Sequence, residues 1–277
     1  MSKRKLFSDI HPICYAISVY KEILIRHMKN MISREKIARK QGSLLPHIVS
    51  ENSSNLIKKG AGIDPILQEN KAKNIMIASK NISTLIIHPG EVFSFWRLVG
   101  KITKRKGYKD GRILIKNKLT GGIGGGLCNL ANSINLLILH SPLDVIERHV
   151  HSDALAPDPD GNRVPFSAGV SVWYNNIDYK FKNNTHQCFQ LEIWREGDEL
   201  KTRLRCESEL LHIYKLHEEN HHFKEECGKF YRTSLIYKLT VDKRTNQILN
   251  KNLVLNNHSE VLYDYNLIPQ HQIKRSS

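Results

Sequence analysis

The sequence predicts an α+β fold, with N-terminal helices and a glycine-loop/cysteine helix packed on a mainly antiparallel β-sheet. Three observations carry this expectation. Apolar residues recur at helical spacing in the N-terminal third. An apolar run of helix length follows a glycine-rich loop at 120–126. From about residue 168 the apolar period changes to two.

Residues 13–40 read as a helix, with Ile13, Tyr15, Ala16, Val19, Tyr20, Ile23, Leu24 and Ile25 at its spacing. Within 12–25 the apolar run is short and is interrupted by Lys21 and Glu22, so a transmembrane helix is not expected. No small-residue cleavage site follows, and no secretory signal is read there. An amphipathic surface helix accounts for the pattern, and docking on a membrane surface is the sharper alternative. Residues 41–70 are mixed, broken by Gly42-Ser43 and Pro46. A second helix is expected from Asn70, a candidate cap, bringing Ile75, Ile77, Ala78, Ile82 and Leu85 roughly one turn apart.

Pro89-Gly90 makes a turn, residues 91–96 read as extended, and 100–111 as a polar, basic loop. Residues 113–115 form a short strand and 120–126 a glycine-rich loop. Cys128 to His140 is apolar enough for a buried helix, stopped by Pro142. Residues 168–195 read as a three-strand meander with turns at Asn175-Asn176 and Asn183-Asn184-Thr185, since asparagine tolerates left-handed backbone. A strand follows at 200–206, and 208–266 continues as β structure. Three segments result: an N-terminal helical extension (1–69), a central domain (70–207) and a C-terminal β-rich extension (208–277).

Composition bounds the function. In 277 residues, 40% are hydrophobic and 8% aromatic, which supplies a core and excludes wholesale disorder. The net charge of +15 favours polyanions: nucleic acid, anionic lipid headgroups or the anionic polymers of a bacterial envelope. No zinc finger, basic heptad helix or aromatic RNA-binding signature accompanies that charge, so nucleic acid is not the expected partner. The five cysteines are odd in number and widely spaced, with no CxxC, which fits a reducing compartment rather than a disulfide framework. The expected location is cytoplasmic or peripheral to the membrane. No cofactor is expected, because the glycine run lacks the Lys-Ser/Thr of a phosphate-binding loop. No metal is expected either: Cys128 with His149 and His151 matches no ligand spacing, and His217 to His222 lies in a charged surface stretch.

The residues with chemical content surround Cys128. Gly121-Gly-Ile-Gly-Gly-Gly126 precedes Leu127 and Cys128. A thiol at a helix N-terminus faces unpaired amides and the positive end of the helix dipole, both of which favour the nucleophilic thiolate. Those amides could also hold an oxyanion. His149 and His151 would share a face of an extended segment, with Ser152 or Asp153 to orient an imidazole. The plain alternative is a tight turn followed by a small buried side chain. Both readings stand at this level. Trp96, Trp173 and Trp194 are expected in the core or lining a groove, and Asn183-Asn184-Thr185 matches a glycosylation acceptor only by letters.

Six stretches occur in an order that resembles the VanW family: Pro89-Gly-Glu-Val-Phe-Ser-Phe95, Tyr108-Lys-Asp-Gly111, Gly124-Gly-Gly-Leu-Cys-Asn129, Glu147-Arg-His149, His151-Ser152 and Asp178-Tyr-Lys-Phe-Lys-Asn-Asn-Thr185. The resemblance covers roughly half of the chain, about 70–207, and implies a link to cell-wall peptide and glycopeptide resistance. Some members are associated with L,D-transpeptidase activity, in which a cysteine attacks a stem peptide and passes its acyl group to an amine. Carried over by position, Cys128 is then the nucleophile and His149 or His151 the base. Gly124, Gly125, Gly126, Asn129 and Ser152 would surround substrate and oxyanion. Asn129 stands where many members have glutamine, and a shorter amide reaches less far. The other reading is a non-catalytic binding module for cell-wall peptide or anionic glycopolymer.

Overall fold

A computed structural model describes residues 7–274, apart from 61–62, 116–117, 151–152, 155–156, 158–168 and 175. Helix α1 (Pro12–Ile32) opens where His11 accepts from the Ile13 amide at 3.2 Å and Pro12 presets the first turn. It ends at Ser33, short of the expected 40, because the chain then runs extended: Ile37 bridges Val92, and Ala38 enters the core. Strand β1 (His47–Asn55) lies in the region read as mixed, since its Ser and Asn residues hide a strand whose partner is 150 residues away. Helix α2 (Pro65–Ser79) begins at Pro65, not Asn70. Asp64 accepts from the Ile66 and Leu67 amides at 2.8 and 3.3 Å, and Asn70 instead donates to the Asp110 carbonyl at 2.9 Å.

Strands β2 (Ile86–Ile87) and β3 (Val92–Ser94) follow, then the short helix α3 (Phe95–Val99) in place of continued extension. The Asp178 carboxylate enforces that switch by accepting from the Ser94 hydroxyl at 2.6 Å and the Trp96 amide at 3.0 Å. The hairpin of β4 (Asp110–Ile115) and β5 (Lys118–Ile123) takes up half of the expected glycine loop, leaving a turn at 124–126. Helix α4 (Leu127–Leu139) is the buried helix that the apolar run predicts.

The remaining elements are strands β6 (Asp144–Glu147), β7 (His149–Val150), β8 (Asp153–Ala154), β9 (Val170–Ser171), β10 (Lys180–Lys182), β11 (Phe189–Glu196), β12 (Glu199–Cys206), β13 (His212–Glu226), β14 (Lys229–Asp242), β15 (Ile248–Val261) and β16 (Ile273–Lys274). One sheet runs β1-β12-β11-β2 and is antiparallel throughout. A second runs β3-β10-β6, and a third runs β16-β13-β14-β15-β8 with parallel pairs only at its two edges. The expected meander is therefore not formed: β9 pairs with β7, and β10 and β11 enter different sheets. The turn between them is real, but it redirects the chain. Asn183 is fully buried, donates to the Ile87 and Gln187 carbonyls, and accepts from the Thr185 amide at 3.0 Å. So engaged, it offers no amide for a glycan.

The main core lies between the first two sheets and α2 and α4. Ile75, Leu130, Ile134, Phe93, Phe181 and Leu191 are buried in it, and Phe93 stacks on Phe181 with ring centroids 4.7 Å apart. Each such side chain contributes about 1.5–3 kcal/mol by leaving water. A smaller core under the third sheet holds Ala154, Phe223, Val261 and Ile268. Lys238 of β14 ties that sheet to the rest by donating to the Leu143 carbonyl at 3.2 Å. Among the described residues, no helix is long and apolar enough to cross a membrane.

Candidate functional site

The turn at 124–126 delivers Cys128 to its place. Gly124 and Gly126 adopt φ of 81° and 105°, in the left-handed region that favours glycine. A Cβ there would lie 2.7 Å from Ile102 Cδ1 or 2.5 Å from Lys71 Cγ, so both glycines serve close packing of the turn. Gly125 is held from both sides: its carbonyl accepts from Asn74 Nδ2 at 3.0 Å and its amide donates to the Gly122 carbonyl at 3.3 Å. Gly126 is the N-cap of α4, and its carbonyl takes the Asn129 and Leu130 amides. The amides of Leu127 and Cys128 therefore sit ahead of the first helical hydrogen bond, as at any helix start. The Asn129 side chain is turned toward β1, where its Oδ1 accepts from the Ser54 hydroxyl at 3.3 Å.

Cys128 is half-buried and packs against the main core. Its Sγ lies 3.6 Å from the Val172 carbonyl oxygen, to which the thiol donates. Burial pushes the thiol pKa up; the backbone of Val172 and of Cys128 itself pulls the other way and is outweighed. Burial thus works against the ionisation that a helix start favours. Strand β9 lies between Cys128 and the histidine strand: His149 pairs with Ser171, next to Val172. The His149 side chain is half-exposed, with Nε2 3.7 Å from Glu147 Oε1. Among the described residues, no hydrogen bond joins Cys128 to an imidazole. His151 and Ser152 lie outside the described residues.

The motif residues converge instead on a polar cluster that residue types alone did not disclose. Glu147 receives both terminal nitrogens of Arg26, and Lys180 reaches its carboxylate at 3.7 Å and that of Glu35 at 3.0 Å. Burial works to raise the Glu147 carboxyl, but Arg26, Lys180 and the Asp178 amide outweigh it and hold it below the ordinary range. Asp178, beside it, is pushed up chiefly by burial, against its hydrogen bonds from Ser94, Trp96 and Tyr179. Glu147, Asp178 and Lys180 stand in quoted motifs, so their letters were a signal; Arg26 and Glu35 gave none.

A cysteine–histidine contact does occur, at a different cysteine. Cys188 Sγ lies 3.1 Å from His88 Nδ1, and the Cys188 amide donates to the Glu207 carboxylate at 2.7 Å. Burial first, and Glu207 second, push the Cys188 thiol up to about 11, which keeps it protonated. The remaining expectations divide. Trp96 is buried, with its indole N–H on the Ile177 carbonyl, whereas Trp173 is 37% exposed. The His217–His222 stretch lies in β13, where His217 meets Glu219 at 3.2 Å and His222 Nε2 meets Thr233 Oγ1 at 2.9 Å. Among the described residues, no group of three or more His, Cys, Asp or Glu side chains is placed to hold a metal. A cleft of about 500 Å3 opens elsewhere, between β1, the end of α4 and β13, with His47, His140 and His212 on its walls.

The VanW-like protein family model matches residues 70–205. The vancomycin B-type resistance protein VanW of Enterococcus faecalis is 30% identical over 219 residues, 79% of each chain. The chain belongs to the VanW family. A second relative, the uncharacterized protein YoaR of Bacillus subtilis, is 28% identical over 129 residues; the match spans 47% of this chain and 41% of that one. No solved structure matches this chain. The family match begins after β1, so the outer strand of the first sheet comes from residues that precede it.

Proposed function

We propose that this VanW-family protein serves glycopeptide resistance by binding a cell-wall peptide or its precursor beside Cys128, with the thiol protonated. The relative named for vancomycin resistance, aligned over most of both chains, supports the setting. One observation carries the non-catalytic form: burial raises the Cys128 thiol, and its S–H is directed at the Val172 carbonyl. Trp173, next to Val172 in the sequence, is 37% exposed, which supports an apolar face for such a peptide. The charge of +15 makes such binding salt-sensitive, and an anionic glycopolymer would share that dependence.

A second reading is acyl transfer of the L,D-transpeptidase type. The Leu127 and Cys128 amides at the start of α4 favour it, because donors ahead of the first helical bond can face an oxyanion. Alkylation of the purified protein with iodoacetamide, read by mass spectrometry across pH, separates the two. The binding reading expects Cys128 to label more slowly than the exposed Cys227 at about pH 7, and a wall pentapeptide to bind Cys128→Ala within about twofold of the parent. Cys128 labelling faster than Cys227 near neutrality, with peptide turnover lost on Cys128→Ala, would establish acyl transfer instead.

A further inference from the structure

We infer that α1 is a docking helix for the surface of an anionic lipid bilayer. Ile13, Ile17, Tyr20, Leu24, Met28 and Met31 follow one another at steps of four or three residues, which keeps them on one face of the helix. All six are between 52% and 82% exposed, and no residue of α1 is fully buried. The opposite face, with Cys14, Ser18, Val19, Ile25 and Asn30, is half-buried toward the body of the protein. Arg26 anchors that face through Glu147 and the Asn176 carbonyl. The apolar stripe thus points away from the protein, along the whole length of a 21-residue helix.

Charge decides the occupant. At helical spacing Lys21 falls on one border of the stripe and His27 on the other, and Lys29 lies beyond; Glu22 is the one acid of the helix. The sequence just before it carries Lys3, Arg4 and Lys5, and that just after it Arg34, Arg39 and Lys40. A second copy of this helix would set cations against cations. An anionic bilayer complements them, takes the apolar stripe among its acyl chains, and leaves bordering lysine at headgroup level. Lys21 and Glu22 prevent the helix from crossing, so it lies in the interface plane. The inference is independent of what binds beside Cys128.

Co-sedimentation of the full chain with vesicles tests it. Vesicles of phosphatidylglycerol mixed with phosphatidylcholine should carry the protein down, and vesicles of phosphatidylcholine alone should carry down about tenfold less. Ile17→Glu with Leu24→Glu, both exposed and outside the core, should cut binding to the mixed vesicles by about tenfold or more with the circular dichroism spectrum unchanged. Equal sedimentation of parent and double variant would overturn the inference. So would a dimer in light scattering that the same double variant dissociates, with no vesicle binding by the parent, since the stripe would then be a contact between copies.

Discussion

At the scale of single residues, burial competes with local fields, and the winner differs from site to site. At Cys128 burial pushes the thiol up and outweighs the backbone contacts that pull it down. At Glu147 the reverse holds: Arg26 and Lys180 overcome burial and keep the carboxylate ionised. A carboxyl depressed on folding stabilises the fold fully above its unfolded value of about 4.3, and that stabilisation is lost as pH falls through the lower folded value. Glu147→Gln should therefore lower Tm at about pH 7, and the gap to the parent should close as the pH falls below about 4. Thermal melts of both proteins across acid pH check this; a gap of constant size would mean that the carboxylate charge contributes nothing.

At the scale of elements, tight packing of the glycine turn positions α4. Gly126 combines a φ of 105° with a Cβ position 2.5 Å from Lys71 Cγ and 3.3 Å from the Lys71 carbonyl oxygen. Gly126→Ala is expected to destabilise by about 1–3 kcal/mol, from left-handed strain together with displacement of α2. Gly121, in the same run, has nothing within 4 Å of its Cβ position, and Gly121→Ala should cost under about 1 kcal/mol. Urea midpoints of the two variants test the contrast, and equal midpoints would remove this account of the turn. The glycine run looks uniform as letters; the structure separates glycines that are needed from one that is not.

At the scale of the whole molecule, the joint between the third sheet and the main core contains a half-buried lysine. Lys238 lies over the Tyr214 ring at 5.2 Å and donates to Leu143, and burial lowers its pKa to about 8. A lysine depressed on folding costs stability fully below its folded value, and the cost fades as pH rises toward its unfolded value of about 10.4. Lys238→Met should thus stabilise the protein by about 1–3 kcal/mol at neutral pH, after allowance for the lost hydrogen bond. The gain should shrink as pH rises from about 8 toward 10. Chemical denaturation at neutral and alkaline pH measures it, and a destabilised variant at neutral pH would refute it.

Helix α4 and strands β13 to β15 were legible in the sequence, because a continuous apolar run and a period of two are local patterns that burial on one side imposes. The six ordered motifs, likewise a property of the letters, sufficed for the family. Strand β1 was illegible: its serines and asparagines alternate in burial only because β12 supplies the ladder from far along the chain. The Arg26–Glu147–Lys180 cluster and the Cys188–His88 contact were hidden for the same reason, since each joins residues that no spacing relates. The sequence by itself determined which segments could fold and to which family the chain belongs. Only the tertiary structure decided which cysteine meets a histidine and in which direction burial moves the Cys128 thiol, because desolvation is set by neighbours brought from elsewhere in the chain.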